Sequence, residues 1–246
     1  MSMDEIDYSI QYRKWHDDSI RHYEDSYNYY KRIFSNLLPE DKDIKILDVG
    51  CGFGLAIYSL KKMGYKHVKG IDISRQLVEV CHKNNLDVEL VEDSTEWLNK
   101  HSCEFDVIIF LDVLEHIPPE KHLIFLKSIY KSLKQNGMII CTTPNANSTF
   151  SSRWRYIDWT HYTSFTEHSL DFILRNSGFK DVQIKEVEFI TKPRYPIILR
   201  KSVLHWILFK IIRFFRRLEA IAELGEEGKT IPLSLNLLAV AYKKDD

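Results

Sequence analysis

The chain is poor in cysteine, almost neutral, and free of long apolar runs. Its four cysteines show no CxxC spacing, so neither a disulfide framework nor a zinc site is indicated and we expect a reducing cytoplasm. A formal net charge of −1 selects no partner by bulk charge. No apolar run approaches the roughly 20 residues of a membrane-spanning helix. The first residues lack the basic and apolar regions of a signal peptide, so we expect none.

Glycine is also scarce, yet three of the nine glycines stand close together. Residues 44–54 read IKILDVGCGFG, which predicts a buried strand followed by Gly50, Gly52 and Gly54 and then a helix. Alternate glycines permit positive φ angles and let a ligand approach the backbone closely. A strand, a glycine turn and a helix indicate a nucleotide-type site at the carboxyl end of a parallel strand.

The spacing of these glycines separates two kinds of cofactor. A nicotinamide dinucleotide site has the pattern GxGxxG and holds a pyrophosphate at a helix N-terminus. This chain has GxGxG after Asp48, whose carboxylate repels phosphate and attracts a cationic group. The pattern resembles motif I of the class I S-adenosylmethionine (SAM)-dependent methyltransferases, whose cofactor carries a sulfonium and an ammonium group and no phosphate.

Motifs further along the chain occur in the order of the same family. GIDIS ends a predicted strand over 66–73, VEDS ends one over 87–91, and FDVIIFLDVLE over 105–115 is typical of a central parallel strand. MIICTTPN follows, so the resemblance covers about residues 44–185 and the last strand. Taken singly, the glycines fit a tight turn and the acidic residues fit helix caps or surface turns, but their common order favours the cofactor.

The resemblance implies which residues meet SAM. Asp72 is placed for the ribose hydroxyls and Asp93 for the adenine amino group. The full predicted set is Asp48, Gly50, Gly52, Gly54, Asp72, Ile73, Asp93, Ser94 and Leu111. We expect an N-terminal residue to hold the cofactor carboxylate, and the candidates are Tyr12, Arg21 and Tyr30.

The predicted fold is α/β and Rossmann-like: a seven-stranded, mostly parallel sheet with an antiparallel last strand and helices on both faces. Residues 1–43 are expected to form an N-terminal helical segment covering the cofactor site, with one helix over 21–40 that ends near Pro39. Residues 44–190 and 231–246 form the predicted methyltransferase core. Residues 191–230 are a predicted helical insertion before the last strand.

This insertion carries eight basic residues between 192 and 217 and no acid. Ser202, Trp206, Lys210, Arg213 and Arg217 fall on one helical stripe and most other positions are apolar. The pattern predicts a basic amphipathic helix. It suits peripheral contact with anionic lipid at the inner membrane face, or packing on the core or in a homodimer, and RNA is the least favoured partner.

Histidines are the candidates for chemistry on the acceptor. Methyl transfer is an in-line displacement in which the enzyme mainly aligns donor and acceptor, but a hydroxyl acceptor must also lose a proton. His116 directly follows the apolar run, and His161 follows the strand predicted at 138–142. Trp154, Tyr156, Trp159 and Tyr162 are expected to form an aromatic wall for a sugar or a base. Thr166 is a predicted helix cap.

A metal site is a further possibility. Asp112, Glu115 and His116 stand at i, i+3 and i+4, one face of a helical turn. With His161 they make a two-carboxylate, two-imidazole set suited to a divalent ion such as Mg²⁺. The set resembles the metal site of small-RNA 2′-O-methyltransferases, and less closely that of ubiquinone-pathway O-methyltransferases, with Asp112 shorter than the expected Glu. A structural role of the same segment stays open.

The predicted reaction is SAM-dependent O-methylation of a sugar hydroxyl on a nucleotide-linked or lipid-linked glycan precursor. It depends on residues 158–179, DWTHYTSFTEHSLDFILRNSGF, which resemble methyltransferases of bacterial surface-polysaccharide and capsule biosynthesis. The alternatives are a metal-dependent RNA ribose 2′-O-methyltransferase, methylation of a lipid quinone or an amine, and a non-catalytic cofactor-binding partner subunit.

Overall fold

The computed structural model describes residues 7–187, 190, 192 and 201–244. The strands are β1 Lys45–Val49, β2 His67–Asp72, β3 Val88–Leu90, β4 Phe105–Leu111, β5 Leu133–Pro144, β6 Lys180–Glu186 and β7 Asn236–Tyr242. The helices are α1 Tyr8–Tyr12, α2 Ile20–Phe34, α3 Leu55–Lys62, α4 Arg75–Lys83, α5 Ser94–Lys100, α6 His122–Ser132, α7 Ser151–Tyr156, α8 Glu167–Asn176 and α9 Lys201–Leu224. Single 3₁₀ turns cover Leu114–His116, Pro119–Lys121 and Glu227–Lys229.

The strands form one sheet in the order β3-β2-β1-β4-β5-β7-β6. β1 lies parallel to β2 and β4, β2 is parallel to β3, and β4 is parallel to β5. β7 runs antiparallel to both β5 and β6. The predicted fold class, a mostly parallel seven-stranded sheet with an antiparallel last strand, is therefore confirmed.

Both faces of the sheet are buried because the central strands alternate apolar side chains toward two helical layers. Ile46 of β1 and Ile109 of β4 pack in the layer that contains α2, α3 and α4. Leu47 and Ile108, their chain neighbours, pack in the layer that contains α5, α6 and α8. Phe34 of α2 is fully buried, so the N-terminal segment is part of the first layer.

The strand order changes direction between β1 and β4, which leaves a crevice outside their carboxyl ends. The chain leaves β1 at Val49, β2 at Asp72 and β4 at Leu111, all at this edge of the sheet. The loops that follow these three residues therefore converge on one place.

Two elements differ in length from the prediction. β5 begins at Leu133 and not at Met138, because Leu133 pairs with Phe105 across an irregularity before the regular register resumes. The helix predicted over 21–40 ends at Phe34, and Leu38 closes the last turn by donating to the Phe34 carbonyl at 3.0 Å. The residue before a proline is pushed out of the helical region, which fits an end ahead of Pro39.

The predicted insertion contains α9, which lies between β6 and β7 in the chain. Residues 191 and 193–200 of this insertion lie outside the described residues. Within the described part of the chain, no helix combines the length and the apolar content that a membrane crossing requires. Thr166 caps α8 as predicted, since its hydroxyl accepts from the Ser169 amide and Ser169 returns the bond.

Candidate cofactor and acceptor site

A cavity of about 440 Å³ opens at the carboxyl ends of β1, β2 and β4. The structure brings eight of the nine predicted cofactor residues into its wall: Asp48, Gly50, Gly52, Asp72, Ile73, Asp93, Ser94 and Leu111. Gly54 lies outside this wall at the start of α3, where a Cβ would meet Leu86 at 2.5 Å. Its role is to let the chain turn into the helix, because its φ is +72°.

The glycine loop is shaped to hold a ligand against its backbone. Gly50 and Gly52 have φ angles of +69° and +55°, a region that side chains with a Cβ rarely adopt. The amide of Gly50 donates to the Ile71 carbonyl at 2.8 Å, which ties the loop to β2. A Cβ on Gly52 would lie 2.4 Å from the Tyr12 hydroxyl oxygen, so the loop has no room for a larger residue.

Asp72 is held at the end of β2 by backbone amides. Its Oδ2 accepts from Gly52 N and its Oδ1 from Ser74 N, both at 2.8 Å. Burial raises the pKa of Asp72 to about 6, although these amide hydrogen bonds act in the opposite direction. Burial, followed by the nearby Asp72 charge, raises the pKa of Asp48 well above its usual range. Burial thus favours the neutral form of both carboxyl groups, and a cationic ligand beside them would favour their ionised form.

The N-terminal segment, which was predicted to cover the cofactor site, contributes aromatic side chains to the cavity wall, and two of them, Tyr8 and Trp15, were not predicted. Tyr8, Tyr12 and Trp15 of α1 and the turn after it lie in the wall, together with Tyr30 of α2. Tyr8, Tyr12 and Trp15 stand at i, i+4 and i+7, a spacing from which a common helical face could have been predicted. Tyr12 packs edge-on against Phe53 of the glycine loop, with ring centroids 4.9 Å apart. The wall of the cavity is therefore aromatic on its N-terminal side.

Two of the three candidates for the cofactor carboxylate line the cavity. Tyr12 and Tyr30 lie in the wall, and burial is the main reason why the pKa of each hydroxyl is raised. Arg21 does not line the cavity, because its side chain is 90% exposed and pairs with Asp25 one turn along α2. Arg21 is therefore not placed to bind the cofactor carboxylate in this cavity.

His116 lies in the wall and is held in one tautomer by a hydrogen-bonded chain. Thr160 Oγ1 donates to Asp158 Oδ1 at 2.7 Å, so it can only accept from His116 Nδ1, also at 2.7 Å. Nδ1 therefore carries the proton and Nε2 keeps a lone pair. Burial, helped by His161, lowers the pKa of His116 to about 4, so the ring is neutral at pH 7.

His161 does not line the cavity but lies against His116, with ring centroids 4.6 Å apart. Its Nδ1 donates to the carbonyl of Trp154 at 2.8 Å, which again leaves Nε2 as the acceptor. Burial lowers the pKa of His161 as well. The structure thus places the two predicted histidines in one cluster and puts only His116 at the cavity surface.

The aromatic wall predicted from residues 154–162 is not observed. Trp159 is 93% exposed and Tyr156 is 77% exposed, and neither they nor Trp154 and Tyr162 line the cavity. Trp154 Nε1 instead donates to Asn236 Oδ1 at 3.0 Å, which fixes α7 to β7. The contribution of this segment is Asp158, which lines the cavity and was not among the predicted site residues.

Three of the four predicted metal ligands come together. One ligand atom each of Glu115, His116 and His161 lies within 4.8 Å of the other two. Asp112 is separate, because its Oδ1 accepts from Thr142 at 3.0 Å and from Asn236 at 2.6 Å. The i, i+3, i+4 prediction assumed a helical turn starting at Asp112, but this residue has a φ of +56° and the 3₁₀ turn begins at Leu114.

Glu115 is the buried carboxyl group of this cluster, with 1% of its surface exposed. Its Oε2 accepts from the Thr143 hydroxyl at 3.2 Å. Burial, followed by the charge of Asp112, raises the pKa of Glu115 well above its usual range. A cation beside it would reverse that effect and favour the ionised form.

The fold, the glycine loop and the acidic residues at the ends of β1 and β2 define the class I SAM-binding type of α/β protein. A family model described as a methyltransferase domain matches residues 20–184, more than half of the chain. The chain therefore belongs to the methyltransferase domain family, and its core is a SAM-dependent methyltransferase domain. The cofactor predicted from the glycine spacing, SAM, is the one this family uses.

Curated relatives match a shorter segment. The chain is 37% identical over 108 residues to a ubiquinone biosynthesis O-methyltransferase of Pelagibacter ubique, covering 42% of this chain and 43% of the relative. It is 34% identical over 112 residues to one of Neisseria meningitidis, covering 42% and 45%. The chain thus matches less than half the length of these curated relatives.

Solved structures match over nearly the whole chain. A SAM-dependent methyltransferase from Archaeoglobus fulgidus superposes with a TM-score of 0.68 at 24% identity, covering 96% of this chain and 100% of that one. A possible histamine N-methyltransferase from Thermotoga maritima has a TM-score of 0.63 at 17% identity, covering 96% of each chain. These likenesses show the fold.

Proposed function

We propose that the chain transfers the methyl group of SAM to a hydroxyl oxygen of a small aromatic acceptor, a phenol. The observation that carries this proposal is His116, a neutral imidazole at the cavity surface whose Nδ1 is fixed through Thr160 to Asp158. Its Nε2 can take a proton from an acceptor hydroxyl. Eight of the nine predicted cofactor residues line the same cavity.

The chain's residues divide the work of binding. Asp72 is positioned for the ribose, Asp93 and Ser94 follow β3 where the adenine would lie, and the glycine loop with Asp48 faces the cationic end. SAM supplies an activated methyl group on a sulfonium. Tyr8, Tyr12 and Trp15 line the cavity on its N-terminal side, where they reduce the space open to water around a bound cofactor and acceptor.

A phenol suits this base better than a sugar alcohol does. The pKa of His116 is lowered, so its neutral form is a weak base. Phenols, with a pKa of about 10 as in tyrosine, release a proton far more readily than aliphatic hydroxyls. The aromatic wall favours a flat acceptor, and the curated relatives are named O-methyltransferases of ubiquinone biosynthesis.

The alternatives have less support. The glycan acceptor depended on residues 158–179 and on aromatic residues between 154 and 162 that do not line this cavity, and the relatives described above bear no polysaccharide name. The RNA alternative depended in part on the basic helix, whose arginines bind the protein body. A non-catalytic partner subunit would not need the hydrogen-bonded chain behind His116, although it could retain the cofactor cavity.

The decisive experiment is transfer of label from methyl-labelled SAM to four separate pools: simple phenols and catechols, nucleotide sugars, a membrane lipid extract, and small RNA. We expect label in the phenol pool, and His116→Ala should lower the rate while SAM affinity stays within about twofold. His101→Ala is the matched control, because His101 bonds the carbonyl of Trp97 on α5 and does not line the cavity. Label confined to sugars or RNA, or an undiminished rate in His116→Ala, would contradict the proposal.

A divalent ion is a second candidate for activating the acceptor, and the donor set fits one. Glu115, His116 and His161 would hold it, since both imidazoles have Nδ1 engaged and Nε2 available. The ion would lower the pKa of the acceptor hydroxyl as a Lewis acid. His116 cannot be ligand and base at once, so the two candidates exclude each other. The ion would be established if a chelator abolishes turnover and added Mg²⁺ restores it in the wild type. In Glu115→Gln, added Mg²⁺ should not restore turnover.

A further inference from the structure

α9 binds the protein body through its arginines and turns apolar side chains to solvent. Arg213, Arg216 and Arg217 lie on the inner side of the helix. Their partners are the Glu186 carboxylate and the carbonyl oxygens of Asn147, Gly228 and Ile231. Val203 and Ala220 are the buried residues of this helix. The basic side of the predicted amphipathic helix is therefore its inner side.

The outer side carries a regular apolar seam. Leu204, Leu208, Ile211, Phe215, Leu218 and Ala222 follow one another at alternating intervals of four and three residues. This is the spacing by which one helix packs along another. The five large residues of the seam are 47–63% exposed. We call residues 204, 208, 211, 215, 218 and 222 the outer seam.

The exposed area is large enough to need a partner. Ile207, Ile212 and Phe214 flank the outer seam and are 36–59% exposed. Aromatic side chains offer roughly 150–250 Å² each when fully exposed, and Leu and Ile lie near the lower end of that range, so the face presents on the order of 700 Å². The largest apolar patch of a typical monomer is about 300–600 Å², whereas each partner in a standard interface buries about 800 Å².

Charge at the ends of the helix selects the partner and its direction. Lys201 and His205 flank the outer seam near its start, and Glu219 and Glu223 flank the same side near its end. In an antiparallel pair of identical helices, like flanks meet, so the basic end of one copy lies beside the acidic end of the other. A parallel pair would instead set this charged flank of one copy against the uncharged flank of the other, where the charges find no partner. The helix is thus complementary to itself when reversed.

We propose that α9 pairs with α9 of a second copy in an antiparallel, two-fold symmetric dimer with Ile211 near the axis. An isologous interface of this kind is the commonest form of homodimer. A membrane interface is the rival partner, but an interfacial helix meets anionic lipid with basic residues on its polar face. Three of those residues are engaged with the body here, so the face offers lipid little charge.

The first test is the mass of the full chain in solution by sedimentation equilibrium. At about 10 µM, where an interface of this size associates, we expect a dimer. Leu208→Glu combined with Phe215→Glu should weaken association at least a hundredfold. Leu224→Glu is the matched control, because Leu224 is 50% exposed on the same helix but lies off the outer seam. SAM affinity and thermal unfolding show that each variant is folded.

The second test is the direction of the pair. In a background with the exposed Cys103 replaced by Ser, Ile211→Cys should form an intermolecular disulfide and Leu204→Cys should not. Two copies of residue 204 in the antiparallel pair lie about 21 Å apart along the helix, beyond the roughly 7 Å that a disulfide spans between Cα atoms. Ready cross-linking at 204 would indicate a parallel pair and overturn the proposed geometry.

Other outcomes also decide the proposal. A monomeric wild-type chain overturns it, and so does a dimer that survives Leu208→Glu with Phe215→Glu. A monomer that binds vesicles of phosphatidylglycerol and phosphatidylcholine, with binding lost in the same double variant, assigns the seam to the membrane. Lys201→Glu should weaken the dimer. If adding Glu219→Lys to that variant restores the dimer, the result supports the charge pairing.

Discussion

At the scale of the residue, Asp72 is where cofactor binding and protonation meet. Backbone amides of the glycine loop and of the turn before α4 hold both of its carboxylate oxygens, so the shape of the loop and the predicted ribose contact depend on one group. Burial places its pKa at about 6 in the protein without cofactor. A ribose hydroxyl donates best to the ionised form.

SAM affinity should therefore fall as the pH drops below about 6. The sign follows because the site must lose a proton to bind well, so below the pKa of the free site the apparent affinity weakens about tenfold per pH unit. Calorimetric titration between pH 5 and 8 measures it. Asp72→Asn should bind more weakly at pH 8 and lack this inflection near 6; an inflection that persists in Asp72→Asn would assign the titration to another group, such as Asp48.

The glycine loop allows a sharper comparison between two residues of the same backbone conformation. Gly52 and Gly64 have φ angles of +55° and +95°, so alanine strains the backbone at both. A Cβ at Gly52 would strike the Tyr12 ring, while a Cβ at Gly64 would meet Lys42 at 4.0 Å.

We expect both alanine variants to lose about 1–2 kcal/mol of unfolding free energy, but only Gly52→Ala to lose SAM binding, by at least tenfold. Thermal unfolding and equilibrium binding measure the two effects separately. Equal losses of SAM affinity in Gly52→Ala and Gly64→Ala would mean that the loop acts through general stability and not through the cavity.

At the scale of the element, the segment between α7 and α8 supports the acceptor side. Asp158 and Thr160 fix the tautomer of His116 without touching its Nε2. Thr160→Val keeps the shape of the side chain and removes the hydroxyl, so the ring loses its orientation. We expect kcat to fall at least tenfold with SAM affinity unchanged. Steady-state kinetics with the acceptor found in the labelling experiment measures it.

Thr163→Val is the matched control for that prediction. Thr163 lies in the same segment, and its hydroxyl donates to the carbonyl of its neighbour Ser164. The kcat of Thr163→Val should stay within about twofold of the wild-type value. If Thr160→Val is no more impaired than Thr163→Val, the hydrogen-bonded chain behind His116 has no part in turnover.

Which of these features the sequence could predict depends on how local their causes are. The glycine loop and the acids at the ends of β1 and β2 follow from strand ends that meet at one edge of a parallel sheet, and eight of the nine predicted cofactor residues line the cavity. The cover was predicted only as an N-terminal segment, and Tyr8 and Trp15 were missed, because the position of α1 depends on the packing of Tyr12 on Phe53 across 41 positions of the chain. The sequence could not show that Asp112 lies apart from Glu115 either. This separation follows from the positive φ angle of Asp112, which prevents a helical turn from starting there.

α9 shows a different limit of sequence patterns. Periodicity correctly predicted an amphipathic helix, but periodicity alone does not say which side faces the protein. The arginines face inward because the Glu186 carboxylate and the carbonyl oxygens of Gly228 and Ile231 accept from them. Lys and Arg stems can cover apolar surface while their charged heads find such acceptors.

At the scale of the whole molecule, Glu186 links the core to the insertion. This last residue of β6 accepts from Arg213 at 3.3 Å, lies 3.5 Å from Arg217, and also accepts from the Leu233 amide at 2.6 Å. One carboxylate therefore connects β6, α9 and the segment that leads into β7. The position of the outer seam depends on this connection.

Glu186→Gln should release α9 from the core without unfolding the sheet. The amide can still accept from Leu233, but it leaves two partly buried guanidinium groups without their counter-charge, at a cost of about 1–3 kcal/mol. We expect faster hydrogen exchange across 201–224, unchanged exchange in β1 and β4, and, since the proposed dimer needs a fixed α9, at least tenfold weaker association. Glu226→Gln, which removes an 87% exposed partner of Lys229, should change neither exchange nor association. Because Glu186 lies outside the cofactor cavity wall, SAM affinity should be unchanged in both variants. If Glu186→Gln also loses SAM binding, α9 stabilises the core itself and does not only provide a surface for a second copy.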